Sequence, residues 1–124
     1  MKHSVVLTVA SLLSIVLFSI HVTDDIVRGF DAWGPQSLFG VLILTVWLYG
    51  TLVLAERRSG LIIMLIGGLG GAVMPAIHMR WNGAKGSGAF LFIWTLFALG
   101  ASGSLSAVLA VRGLRRPTQA NIAN

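Results

Sequence analysis

The chain has 124 residues, of which 56% are apolar and only 10% are charged. Soluble domains carry roughly 25% charged residues, so a soluble fold of this size would leave much of its apolar surface facing water. The absence of cysteine excludes disulfides, thiolate metal sites and thiol redox chemistry. The formal charge of +5 does not indicate nucleic acid binding, because the basic residues lie singly or in pairs at the ends of apolar runs.

Four apolar runs are long enough to cross the hydrocarbon core of a bilayer, which needs about 20 helical residues. They cover, approximately, residues 4–22, 38–55, 61–79 and 89–111. The connections are short, so consecutive helices should be antiparallel neighbours. The sequence therefore predicts an all-α, integral membrane, up-down-up-down four-helix bundle. This single transmembrane domain covers residues 1–117, and a polar tail follows at 118–124.

The basic residues predict how this bundle is oriented. With four spans, the two termini and the second loop share one side of the membrane, and this side holds six of the nine Lys and Arg residues. They are Lys2, Arg57, Arg58, Arg112, Arg115 and Arg116. Cytoplasmic loops carry the excess of basic residues, so both termini are predicted to lie in the cytoplasm.

A polar segment at the end of the first run contains the candidate site. His21, Asp24, Asp25 and Arg28 are spaced i, i+3, i+4 and i+7, which places them on one face of a continuous helix. His21 and His78 are each about the eighteenth residue of a helix that runs in the same direction, so the two imidazoles should lie at equal depth. Helices one and three are diagonal in such a bundle, and inward-pointing side chains of the two would converge.

Several chemistries suit this arrangement. Two imidazoles with one or two carboxylates can bind a transition metal, with His21, Asp24, Asp25 and His78 as the candidate ligands. Ligation of a haem by both histidines is a second possibility. A quinone headgroup held by the same residues beside the indole of Trp81 is a third.

A structural interpretation of the same residues stays open beside these. Polar side chains are common where a membrane helix meets water, and Asp24 with Arg28 forms an ordinary i,i+4 ion pair. Arg80 follows His78 and should help to balance the carboxylates.

Small residues in the third and fourth runs predict close helix packing. Gly67 and Gly71 are four residues apart, and Gly100 and Gly103 begin similar small-x-x-x-small pairs. Such spacing lets two helix backbones approach closely in lipid. We expect these glycines to pack helices three and four together, and the alternative is a face for a second copy or a partner subunit.

Three stretches resemble small four-helix bacterial inner-membrane proteins of unknown function. They are residues 23–31, 48–60 and 76–80, and the resemblance extends over most of the chain. That group has no assigned chemistry, so the resemblance implies a bacterial inner membrane and supplies no catalytic residues.

The sequence carries no nucleophile elbow, phosphate loop or zincin pattern. We therefore expect a membrane protein that is not an enzyme and that serves as a structural or accessory subunit, packed against itself or a larger complex. The alternative is a module that binds a metal, haem or quinone at the outer face of the bundle. The lipid bilayer is the expected partner in both cases, and nucleic acid is not.

Overall fold

Four α-helices form almost all of residues 2–29, 35–78 and 89–116, the parts of the chain that the computed structural model describes. They are α1 His3–Val27, α2 Pro35–Leu52, α3 Arg58–His78 and α4 Ala89–Arg115. Each predicted apolar run overlaps one of these helices, although α2 ends at Leu52 rather than at residue 55, and residue 79 lies outside the described residues. The all-α prediction is confirmed for this part of the chain.

Three of the helices are long and apolar enough to cross a membrane. The most apolar 18-residue windows of α1, α3 and α4 have mean hydropathies of 2.4, 2.1 and 1.7. The α2 helix offers a shorter apolar stretch, Leu38–Leu52. These lengths and compositions indicate a membrane protein, and the fourth crossing stays a prediction.

The side chains are distributed as expected for a fold surrounded by lipid. Large apolar side chains are exposed on every helix, for example Val9, Leu42, Ile66 and Phe97. Several hydroxyl side chains are instead buried between the helices: Ser11, Ser14, Thr51, Thr95, Ser102 and Ser106. Apolar faces of this extent in water would drive association, whereas lipid accommodates them.

The α4 helix is central, since it packs most extensively against α3 and then against α1. The α2 helix contacts α3 and α1, while α1 and α3 contact each other least among these pairs. Contact positions run in opposite directions along α3 and α4, because Gly68 meets Ala107 while Pro75 meets Gly100. The fold thus places the C-terminal ends of α1 and α3 beside the N-terminal part of α4.

Glycines allow α3 and α4 to approach closely, although not all of the predicted ones do so. A Cβ atom added to Gly103 would lie 2.7 Å from the carbonyl oxygen of Gly68, and one added to Gly71 would lie 3.1 Å from Leu99 Cδ1. Gly100 packs against the ring of Pro75. Such distances leave no room for larger side chains.

Gly67 is the exception among the predicted packing glycines. It faces the indole of Trp47 on α2 rather than α4, and Gly68 takes the position against α4. One residue corresponds to a rotation of about 100° around a helix, so neighbouring glycines face different partners.

Candidate metal centre at one end of the bundle

Three side chains that can bind a metal converge where α1, α3 and α4 meet. His21 and Asp25 lie one turn apart near the end of α1, and His78 is the last residue of α3. His21 is 1% exposed, Asp25 is buried and His78 is partly buried. The close packing of α4 against both other helices holds these elements together.

The Asp25 carboxylate lies at the same short distance from both imidazoles. Asp25 Oδ2 lies 3.6 Å from His21 Nε2 and 3.6 Å from His78 Nε2. One donor atom from each residue can be chosen so that all three lie within 4.8 Å of one another. The carboxylate oxygen therefore lies close to an Nε2 atom of each imidazole.

The backbone of α3 determines which nitrogen of His78 faces this cluster. His78 Nδ1 lies 3.2 Å from the carbonyl oxygen of Met74, which can only accept a hydrogen bond. Nδ1 therefore carries the proton in this bond, and the lone pair of the neutral ring is on Nε2. Metal-binding histidines are commonly held in this way, with one ring nitrogen bonded to a carbonyl and the other on the metal.

Within the described part of the chain, His21, unlike His78, makes no hydrogen bond that would orient its ring. Both of its ring nitrogens are buried, and neither makes a hydrogen bond to the described residues. Its Nε2 lies just beyond hydrogen-bonding distance from Asp25. Buried polar atoms normally find partners, so an imidazole with two such atoms calls for an explanation, and a bound ion is one.

Phe92 of α4 covers the cluster, and an ion pair lies beside it. The ring centroid of Phe92 is 5.1 Å from that of His21 and 6.0 Å from that of His78. The guanidinium carbon of Arg28 lies 5.2 Å from the same centroid, and Arg28 approaches Asp24 at 3.6 Å. The aromatic ring thus lies beside both the imidazoles and the guanidinium.

The two aspartates of the predicted polar face have different partners. Asp25 joins His21 and His78, whereas Asp24 lies with Arg28. Arg80 and Trp81, the other predicted members of the site, lie outside the described residues.

Comparisons with protein-family models, curated proteins and solved structures find no match.

The spacing of the donor atoms suits a first-row transition metal. In a tetrahedral complex, metal–ligand bonds of about 2.0–2.2 Å place neighbouring ligand atoms about 3.3–3.6 Å apart. Asp25 Oδ2 lies at 3.6 Å from each imidazole nitrogen, close to this separation. The donor atoms of all three residues lie within 4.8 Å of one another, so binding one ion would require the side chains to move closer together.

The same geometry does not suit a haem held by both histidines. Such a haem needs the two imidazoles on opposite faces of the porphyrin. Here the rings meet edge to face with their centroids 4.8 Å apart. The macrocycle has no room between them.

A second polar cluster lies deeper in the bundle, and sequence reasoning missed it. The indole N–H of Trp47 donates to Ser11 Oγ at 3.0 Å, and the Ser11 and Thr51 hydroxyls lie 2.8 Å apart. The Thr51 hydroxyl in turn donates to the Trp47 carbonyl oxygen at 2.8 Å. An indole in mid-helix was the available signal, because a buried Trp N–H needs an acceptor.

Proposed function

We propose that this protein is a small four-span membrane protein that binds a divalent transition metal through His21, Asp25 and His78. The observation that carries the proposal is the convergence of two imidazoles and one carboxylate from two helices on a buried point. The basic residues favour cytoplasmic termini, which would place the metal near the outer surface. The resemblance noted above favours a bacterial inner membrane.

Zn²⁺ and Fe²⁺ fit this set of donors best. Two histidines and a carboxylate bind zinc in several hydrolases and bind Fe²⁺ in non-haem oxygenases. Three protein ligands leave at least one coordination position for water or another small ligand. A bound ion would supply Lewis acidity or one-electron chemistry at this position, and Phe92 would limit the access of lipid and water to it.

Metal binding to the purified full chain tests the proposal. We would measure Zn²⁺ and Co²⁺ affinity by calorimetry in detergent, and follow the visible absorption of bound Co²⁺. The expected result is one ion per chain. Loss of an outer partner of a metal ligand costs roughly 10–100-fold in affinity, so loss of a ligand in Asp25→Asn should cost at least that much.

Matched variants distinguish this site from nonspecific binding. Asp24→Asn removes a neighbouring carboxylate outside the cluster, and His3→Ala removes a histidine at the other end of α1. Both should keep the parent affinity within about threefold. Equal losses in Asp24→Asn and Asp25→Asn, or no binding by the parent chain, would contradict the proposal and leave the accessory-subunit interpretation.

The proposed topology has a separate test. Reporter fusions should place a C-terminal tag in the cytoplasm and a tag at Lys85 outside. A C-terminal tag on the outer side would contradict the orientation without affecting the metal site.

A further inference from the structure

We propose that the end of the bundle opposite the metal centre holds a site for the headgroup of an anionic phospholipid. A cavity of about 490 Å³ opens there between the start of α1, the α2–α3 connection and the end of α4. Its lining includes Lys2, His3, Leu61 and Arg116. The inference uses the membrane location proposed above but not the metal.

The cavity has the two chemical characters that a phospholipid requires. Leu7 and Leu61 provide apolar walls, while Lys2 and Arg116 provide two cationic groups at its edge. A phosphate alone would need only the cations, and an acyl chain alone would need only the apolar walls. The combination suits a glycerophospholipid, with its phosphate at the cations and its glycerol and upper acyl chains on the leucines.

His3 adds a polar atom that the protein itself does not satisfy. His3 Nε2 is buried and makes no hydrogen bond to the described residues. The ring also lies against α4, since a Cβ on Gly113 would be 3.5 Å from His3 Cε1. A rotation of the ring toward the cavity would let a phosphate oxygen give this nitrogen a partner.

The charge balance at this end selects an anionic headgroup. One carboxylate, Glu56, lines the cavity with the two cations. Basic pockets between membrane helices on the cytoplasmic side are typical sites for acidic lipid headgroups.

Native mass spectrometry of the full chain in detergent tests this site. We would titrate phosphatidylglycerol, phosphatidylcholine and inorganic phosphate in parallel and measure the first binding constant for each. Phosphatidylglycerol should bind at least about tenfold more tightly than phosphatidylcholine. Each basic residue near an anionic lipid contributes about a fivefold factor, so Lys2→Gln with Arg116→Gln should weaken binding about thirtyfold.

Two variants keep the test specific. Arg58→Gln with Arg112→Gln removes the same charge at the same end but outside the cavity, and should change phosphatidylglycerol affinity by less than about threefold. Glu56→Gln should strengthen binding severalfold, an effect that misfolding would not produce. Equal losses in the two double variants, or inorganic phosphate that displaces the lipid at equal concentration, would overturn the proposal. Resistance of the chain to alkaline extraction from membranes tests insertion separately.

Discussion

The bundle contains two buried polar clusters that differ in whether the protein satisfies them. In the cluster of Ser11, Trp47 and Thr51, the hydroxyls and the indole N–H have partners at 2.8–3.0 Å. In the cluster of His21, Asp25 and His78, the Asp25 carboxylate lies 3.6 Å from each imidazole, and both ring nitrogens of His21 lack hydrogen bonds to the described residues. The polar side-chain groups of the first cluster are all hydrogen-bonded, whereas the second contains an imidazole that is not.

This difference distinguishes a hydrogen-bonded cluster that links two helices from one that contains an imidazole without hydrogen bonds to the described residues. A saturated cluster links helices, and hydrogen bonds of this kind between membrane helices contribute about 0.6 kcal/mol on average. The buried His21 imidazole, whose ring nitrogens make no hydrogen bond to the described residues, costs stability, and a ligand on one of these nitrogens would offset part of that cost. Substitutions in the two clusters should therefore have different effects on stability and on metal affinity.

The largest effect should follow from His78→Ala. This change removes one of three ligands, so Zn²⁺ affinity should fall about a hundredfold, or about 2.7 kcal/mol. The melting temperature without metal should change little, because His78 lies at the end of α3 and is partly exposed. Calorimetric titration and a metal-free thermal melt measure the two effects. A metal-free variant that melts far below the parent would show that His78 is structural instead.

Loosening the α3–α4 contact should have the next largest effect. A Cβ on Gly68 would lie 2.8 Å from the Gly103 carbonyl oxygen, so Gly68→Ala must push the backbones of α3 and α4 apart. The free energy of unfolding should fall by about 2 kcal/mol. Gly68→Ala should also weaken metal binding, because α3 carries His78 but no member of the hydroxyl cluster. Gly70→Ala is the control, since a Cβ there meets nothing within 4 Å. Unfolding in denaturant that gives the same stability for both variants would contradict the close packing.

The sequence predicted the helices well, but not which faces they bury. Apolar runs suffice to place four helices, and equal depth suffices to pair His21 with His78. Choosing Asp25 over Asp24 requires the rotation of α1, which its packing against α4 determines. For the same reason the sequence predicted Gly67 in the contact with α4, where the structure has Gly68.

Other contacts could not be predicted from any pattern in the sequence. Phe92 resembles any other apolar residue of its helix, yet it packs against His21 and His78. Ser11 and Thr51 are 40 residues apart, and nothing local to either one pairs them. Their contact exists only because α1 and α2 pack at that depth.

Breaking the saturated cluster should have a moderate effect on stability alone. Ser11→Ala removes the acceptor of the Trp47 indole N–H and should destabilise the fold by about 1 kcal/mol. Metal affinity should not change, because Ser11 lies about 15 Å along α1 from His21. Ser104→Ala is the control, since the hydrogen bond of that hydroxyl is to its own helix. A loss of metal affinity in Ser11→Ala would show that the two clusters are coupled.

The smallest effect should come from the ion pair beside the site. Arg28→Lys keeps the positive charge of the i,i+4 pair with Asp24, and it leaves the three proposed ligands in place. Thermal stability and Zn²⁺ affinity should both stay close to the parent values. A tenfold loss of affinity would mean that Arg28 helps to position the ligands through Phe92.

X-ray absorption spectroscopy of the zinc-loaded full chain tests the central claim most directly. The account predicts two imidazole nitrogens and at least one oxygen bound to zinc, at about 2.0–2.2 Å. The imidazole scattering should fall to one ring in His78→Ala and stay at two rings in His3→Ala. A zinc shell made only of oxygen, or two rings that persist in His78→Ala, would contradict a metal centre formed by His21, Asp25 and His78.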